Sequence, residues 1–143
     1  MQAKRSRIYH RLQIVAHRMQ KVGDREIARN VKLTTTQAAV LSVLRSGEGD
    51  TQKQIALALG LNESAVTDMI NRLIRYGYIG RKRSQQDRRS WVLHVTTDGE
   101  AAHDAAGEGF RQLNESIHAA LSDREIVHLA DMLDRLADAF TSE

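Results

Sequence analysis

Apolar positions repeat at helical spacing along most of the chain and change to strand alternation in one short region. From about Arg5 to Val22, residues Ile8, Leu12, Val15, Met19 and Val22 recur three or four apart, one stripe on a helix that is otherwise polar and basic. The VGDRE segment that follows is expected to end or kink this helix, because Gly23 weakens a helix interior. Four sites then match the capping-box pattern: Thr34/Gln37, Thr51/Gln54, Thr97/Glu100 and Ser122/Glu125, the third with its boundary open by one residue between Thr96 and Thr97. In such a box a hydroxyl and a Glu or Gln three residues on satisfy each other's free backbone N–H groups. Each precedes a run of helical period: AAVLSVL, IALAL, the Ala-rich stretch 101–121, and IVHLADMLDRLADAF.

A further helix, ESAVTDMINRLIRYG, has Asn62 as its N-cap and Gly77 as its stop. Val66, Met69, Ile70, Leu73 and Ile74 form its apolar face, and only the turn LGLN separates it from the helix before. After Gly77 the period changes. YIGRKRS and SWVLHVT read as two strands joined by the polar QQDRR, with Trp91 expected to pack on the inner side. The predicted fold is mainly α with one small β-hairpin: two short helices on a tight turn, followed by a wing, which is a winged helix-turn-helix.

Composition supports helix, with no proline and few aromatics, and the absence of cysteine excludes disulfides and thiolate chemistry. No apolar run approaches the ~20 residues of a membrane span and the N-terminus lacks a signal-peptide core, so a cytoplasmic protein without a membrane partner is expected. The net charge of +3 conceals a polarity. Residues 1–96 hold 18 Lys/Arg and 7 Asp/Glu, a balance of +11, whereas residues 97–143 hold 3 and 11, a balance of −8. A basic body with an acidic tail points to an anionic partner for the first part and other work for the second.

A helix fits the major groove of duplex DNA, where every base pair shows a distinct donor and acceptor pattern, while a basic hairpin can follow the backbone into the minor groove. On the candidate recognition helix the residues placed to read DNA are Ser64, Ala65, Thr67, Asp68, Asn71, Arg72 and Arg75, those of the N-terminal half nearest the bases. In the wing they are Arg81, Lys82, Arg83, Arg88 and Arg89, with Asp87 at the tip expected to pair with a neighbouring arginine and aim it. A polar helix face or a charge run is also what a solvated surface presents. The sequence of helix, helix and hairpin together favours the DNA reading.

Residues 30–105 resemble the MarR (multiple antibiotic resistance regulator) family. The motifs are an LTxxQ helix start (Leu33, Thr34, Gln37), TQxxIA (Thr51, Gln52, Ile55, Ala56), the recognition-helix set Val66, Thr67, Ile70, Arg72 and Leu73, the exit Gly77, Tyr78, Ile79 and Arg81, and the wing signature Asp87, Arg88, Arg89, Val95, Thr96 and Gly99. The resemblance implies a homodimer on a pseudo-palindromic double-stranded DNA operator. It also implies a repressor, less often an activator, released by a small-molecule effector bound between two domains, with no other cofactor. The domains would be 33–96 for DNA and 1–32 with 97–143 for dimerisation, the latter through Ile8, Leu12, Val15, Ile126, Leu129, Leu133, Leu136 and Phe140. The last five of these form a stripe near the 3.5 period of helix association, although an intrachain core would want the same pattern. Many members of the family carry Arg where Asp68 stands and Asp where Asn71 stands, which implies an unusual operator.

Other readings are a winged-helix interaction module without DNA binding and a metal-responsive regulator. Two Glu-x-x-His pairs, Glu100/His103 and Glu125/His128, have the spacing of di-iron ligands. They open consecutive antiparallel helices, so about 30 Å of helix separates them and a shared intrachain site is not expected. No compact histidine cluster, nucleophile motif, phosphate loop or catalytic carboxylate pair is evident, and neither a metal nor an enzymatic activity is expected.

Overall fold

The computed structural model describes residues 7–141. Its order is α1 (Ile8–Ala28), α2 (Thr35–Ser46), α3 (Gln52–Leu59), α4 (Glu63–Arg75), β1 (Ile79–Arg83), β2 (Trp91–Val95), α5 (Thr97–Ala120) and α6 (Asp123–Ala139). The fold is the expected helical one with a two-stranded antiparallel wing. The predicted helix start at Arg5 falls outside the described residues.

Three of the four capping boxes form, at Thr34/Gln37, Thr51/Gln54 and Ser122/Glu125. Gln37 needs its box most, because it is the buried polar residue of an otherwise apolar core and its Oε1 accepts from the Thr34 N–H at 3.0 Å. The fourth box does not form. Thr96, one residue earlier, caps α5, and its hydroxyl accepts from the Gly99 N–H. The same hydroxyl donates to the Gly77 carbonyl at 2.6 Å, so one threonine ties the end of the wing to the end of α4. That second bond is open to Thr96 and selects it over Thr97 as the cap.

The first helix also departs from expectation, continuing through Gly23 to Ala28. Gly23 is there for proximity: a Cβ on it would lie 2.6 Å from Thr35 Cγ2. Beside it, Asp24 Oδ1 accepts from the backbone N–H and the hydroxyl of Thr35, at 2.7 and 2.8 Å, and so ties the C-terminal part of α1 to the start of α2. Lower on the same helix, Ile27 is wholly buried against α5, where a Cβ on Gly109 would sit 2.6 Å from the Ile27 backbone nitrogen. Packing at this crossing outweighs the weak helix propensity of glycine.

The core lies between α2, α3, α4, the base of the hairpin and the middle of α5. Leu41, Ile55, Val66, Leu73 and Ile27 are its largest fully buried members besides Val40. The expected apolar face of α4 is confirmed, with Val66, Ile70 and Leu73 buried and Met69 and Ile74 packed at its edges. Gly60 and Gly77, with φ of 64° and 79°, adopt the left-handed conformation that closes α3 and α4. The hairpin pairs Ile79 with Val95, Arg81 with Leu93 and Arg83 with Trp91. Leu93 also donates its N–H to the Asp50 carbonyl at 2.8 Å, which stitches the outer edge of β2 to the loop before α3.

Candidate nucleic-acid interface

The exposed face of α4 carries Ser64, Asp68, Asn71, Arg72 and Arg75, spaced four, three, one and three apart, a narrow outward stripe opposite Val66, Ile70 and Leu73. Asn62 caps the helix by accepting from the Ala65 N–H at 2.8 Å, and its Oδ1 also accepts from the Ser64 hydroxyl at 2.9 Å. Thr67 is placed differently from the rest. Half-buried, it donates to the Glu63 carbonyl at 2.8 Å and accepts from Gln52 Nε2, so it holds α4 against the start of α3. Gln52 also reaches the Glu63 carbonyl at 3.4 Å. Ala65 is half-buried as well. Among the predicted positions, therefore, Thr67 and Ala65 lie at the margin of the stripe, and Gln52, which the sequence offered only as part of the TQxxIA motif, positions α4.

The wing projects Arg81, Lys82, Arg83, Arg88 and Arg89 into solvent. Asp87 does not have the role expected of it. Its Oδ1 accepts from the Arg89 backbone N–H at 3.0 Å and its Oδ2 from the Ser90 hydroxyl at 3.1 Å, and among the described residues no ion pair joins it to an arginine. It forms an Asx turn that folds the tip and sets the path of the Arg88–Arg89 backbone. Ser84 completes the tip by accepting from the Gln86 and Asp87 N–H groups at 3.2 and 3.3 Å. Arg83, Ser84, Gln85, Arg88 and Arg89 line a shallow concavity on the wing.

Trp91 is also displaced from its expected setting. Strand alternation puts it on the same side as Leu93 and Val95, but the hairpin has by then run past the body of the protein, and the residue is 40% exposed. In place of a core it carries two guanidinium groups, Arg81 at 4.8 Å and Arg83 at 4.1 Å from the ring centroid. Arg83 is held further by donating to the Arg88 carbonyl at 3.0 Å.

A polar junction connects this unit to α5. Arg45 of α2 donates to Asp104 Oδ1 at 2.7 Å and lies 3.0 Å from His103 Nδ1, which must therefore accept. The Asp104 pKa is lowered by that hydrogen bond and by the arginine's charge. Burial, and then the same cation, lower that of His103. His103 is thus engaged by an arginine, and among the described residues no group of three His, Cys, Asp or Glu side chains comes together as a metal site.

The candidate dimerisation residues divide in two. The outer part of α1, with Ile8, Leu12 and Val15, and the stripe of α6, with Leu129, Leu133, Leu136 and Phe140, are exposed, and Ile126 is half-buried. No residue of α6 is buried by the rest of the chain, so its apolar stripe has no intrachain core to serve. Among the described residues no helix is long and apolar enough to cross a membrane.

Comparison with known proteins places this geometry among gene regulators. A sequence model of the MarR family matches residues 31–90. A protein of Thauera aromatica named for transcriptional regulation of the hcr operon is 30% identical over 125 residues, spanning 83% of this chain and 74% of its own. The transcriptional repressor CouR, solved on a 23-mer DNA duplex, superimposes with a TM-score of 0.84 at 27% identity, covering 91% of this chain and 92% of the repressor. The PcaV regulator of Streptomyces coelicolor, solved with its natural ligand, gives 0.75 at 29% identity over 87% of this chain and 90% of PcaV.

Proposed function

The chain belongs to the MarR family of transcriptional regulators, and from that premise we propose that it is a ligand-responsive repressor that binds a pseudo-palindromic duplex operator as a homodimer. The observation that carries this reading is the joint presentation of α4 and the wing. Asp68, Asn71, Arg72 and Arg75 on one element and five basic residues on the other are all solvent-exposed beside a fully formed core. In this division residues 33–96 bind DNA, while 97–143 and the helix within 1–32 associate with a second copy, residues 1–6 and 142–143 lying outside the described residues. The exposed stripes of α1 and α6 support the second assignment, since an amphipathic helix with no core of its own is stabilised by a partner. PcaV binds a natural ligand, which supports a small-molecule effector here. An enzymatic role finds no support in these relatives, which are regulators.

The test is a titration of the protein against DNA from the region upstream of its own gene, by fluorescence anisotropy across salt concentrations. Tight binding that weakens steeply with salt is expected, because each neutralised phosphate releases condensed counterions. Arg88→Ala and Arg89→Ala should each weaken binding and lower the salt slope by about one phosphate contact, leaving the oligomeric state unchanged. Equally weak binding to every duplex tested would favour a winged-helix interaction module.

A further inference from the structure

We infer that Trp91 is a positioning residue for DNA binding, acting as a platform that fixes the direction of Arg81 and Arg83 before DNA arrives; the inference rests on the DNA-binding reading above. The cross-strand register sets Arg83 directly opposite Trp91, and Arg81, two residues earlier on β1, shares its face. Both guanidinium groups lie within stacking range of the one indole, at 4.8 and 4.1 Å. An aromatic face attracts a cation through its quadrupole, and arginine, being planar, stacks on it while keeping its N–H groups free at the edge.

The arrangement is informative because it opposes simple electrostatics. Two like charges are gathered on one exposed ring, and among the described residues neither arginine has an acidic partner. Arg83 is fixed at a second point by the Arg88 carbonyl, so the platform also braces the tip that carries Arg88 and Arg89. A polyanion would relieve the repulsion, and side chains already ordered lose less rotamer freedom when they bind it. Arg81 and Arg83 therefore act as a preset pair for the phosphate backbone, while Arg88 and Arg89, at the tip beyond the ring, provide the adaptable contacts.

The experiment compares Trp91→Leu and Trp91→Phe with the wild-type protein for affinity towards the same upstream duplex, together with thermal melting and sedimentation of each free protein. Trp91→Leu should bind about fivefold to tenfold more weakly, and Trp91→Phe should recover most of the loss, with melting and oligomeric state unchanged in both. Trp91 is the sole tryptophan of the chain, so its emission reads the platform directly. Arg81→Gln and Arg83→Gln should each alter that emission in the DNA-free protein. Wild-type affinity in Trp91→Leu, an equal loss in Trp91→Phe, or emission unmoved by both arginine changes would overturn the inference. Failure of the wild-type protein to bind any duplex selectively would instead overturn the DNA-binding reading itself.

Discussion

Asp68 and Asn71 stand side by side at the centre of the outward stripe of α4, one turn apart and exposed. A carboxylate there repels phosphate but can accept from the N4 amino group of cytosine, and an asparagine can bond both N6 and N7 of adenine. Asp68→Asn should therefore alter the bases selected from a randomised duplex pool, with a discrimination of about 1–3 kcal/mol lost at one position per half-site. Selection of the same sequence by the variant would remove Asp68 from base reading. These residues were legible in sequence because helical period alone places them opposite Val66, Ile70 and Leu73. Trp91 and Asp87 were not legible in the same way. Alternation predicts the side of a strand but not where the core beneath it ends, and the core ends at Leu93. A carboxylate among arginines has two kinds of donor near it, and the backbone N–H of Arg89, two residues on, was the one already in place.

Local signals identified most elements, since a capping side chain and its partner lie within one turn of each other. Boundaries left open or misplaced were those where a contact distant in sequence decided the outcome. Thr96 caps α5 because the Gly77 carbonyl, 19 residues earlier, gives its hydroxyl a second bond. The first helix passes through Gly23, where the 2.6 Å approach of Thr35 Cγ2 leaves little room for a Cβ and so gives the glycine a packing role that helix propensity does not reveal. The crossing of α1 and α5 makes the same point in a testable form. Gly109→Ala would place a methyl group 2.6 Å from the Ile27 backbone, with no flexible side-chain end to give way. The variant should lose about 1–3 kcal/mol of stability in denaturant unfolding, the usual cost of overpacking. Unchanged stability would mean that the helices can separate at that point without loss. The thread from this crossing to the DNA-binding unit runs through Arg45 and Asp104, an ion pair joining α2 to α5 at 2.7 Å.

In the whole molecule, charge and apolar surface are segregated. The basic residues are shared equally between residues 1–32 and the helix-turn-helix with its wing, nine Lys/Arg in each, whereas residues 97–143, which form α5 and α6, are acidic in balance and carry an apolar stripe that faces outward in a single chain. A second copy covering that stripe would remove the apolar surface from water and present two wings to one duplex. Leu129→Asp combined with Leu133→Asp should give a monomer in sedimentation, and with it a large loss of operator affinity; a dimer retained by this variant would place the interface elsewhere. The central claim, that two copies read one duplex through α4 and the wing, is tested most directly by hydroxyl-radical footprinting on the upstream DNA. Two protected half-sites related by a dyad are expected, their centres about one helical turn or a small multiple of it apart. A single unpaired footprint, or none at concentrations where the dimer is intact, would contradict the account.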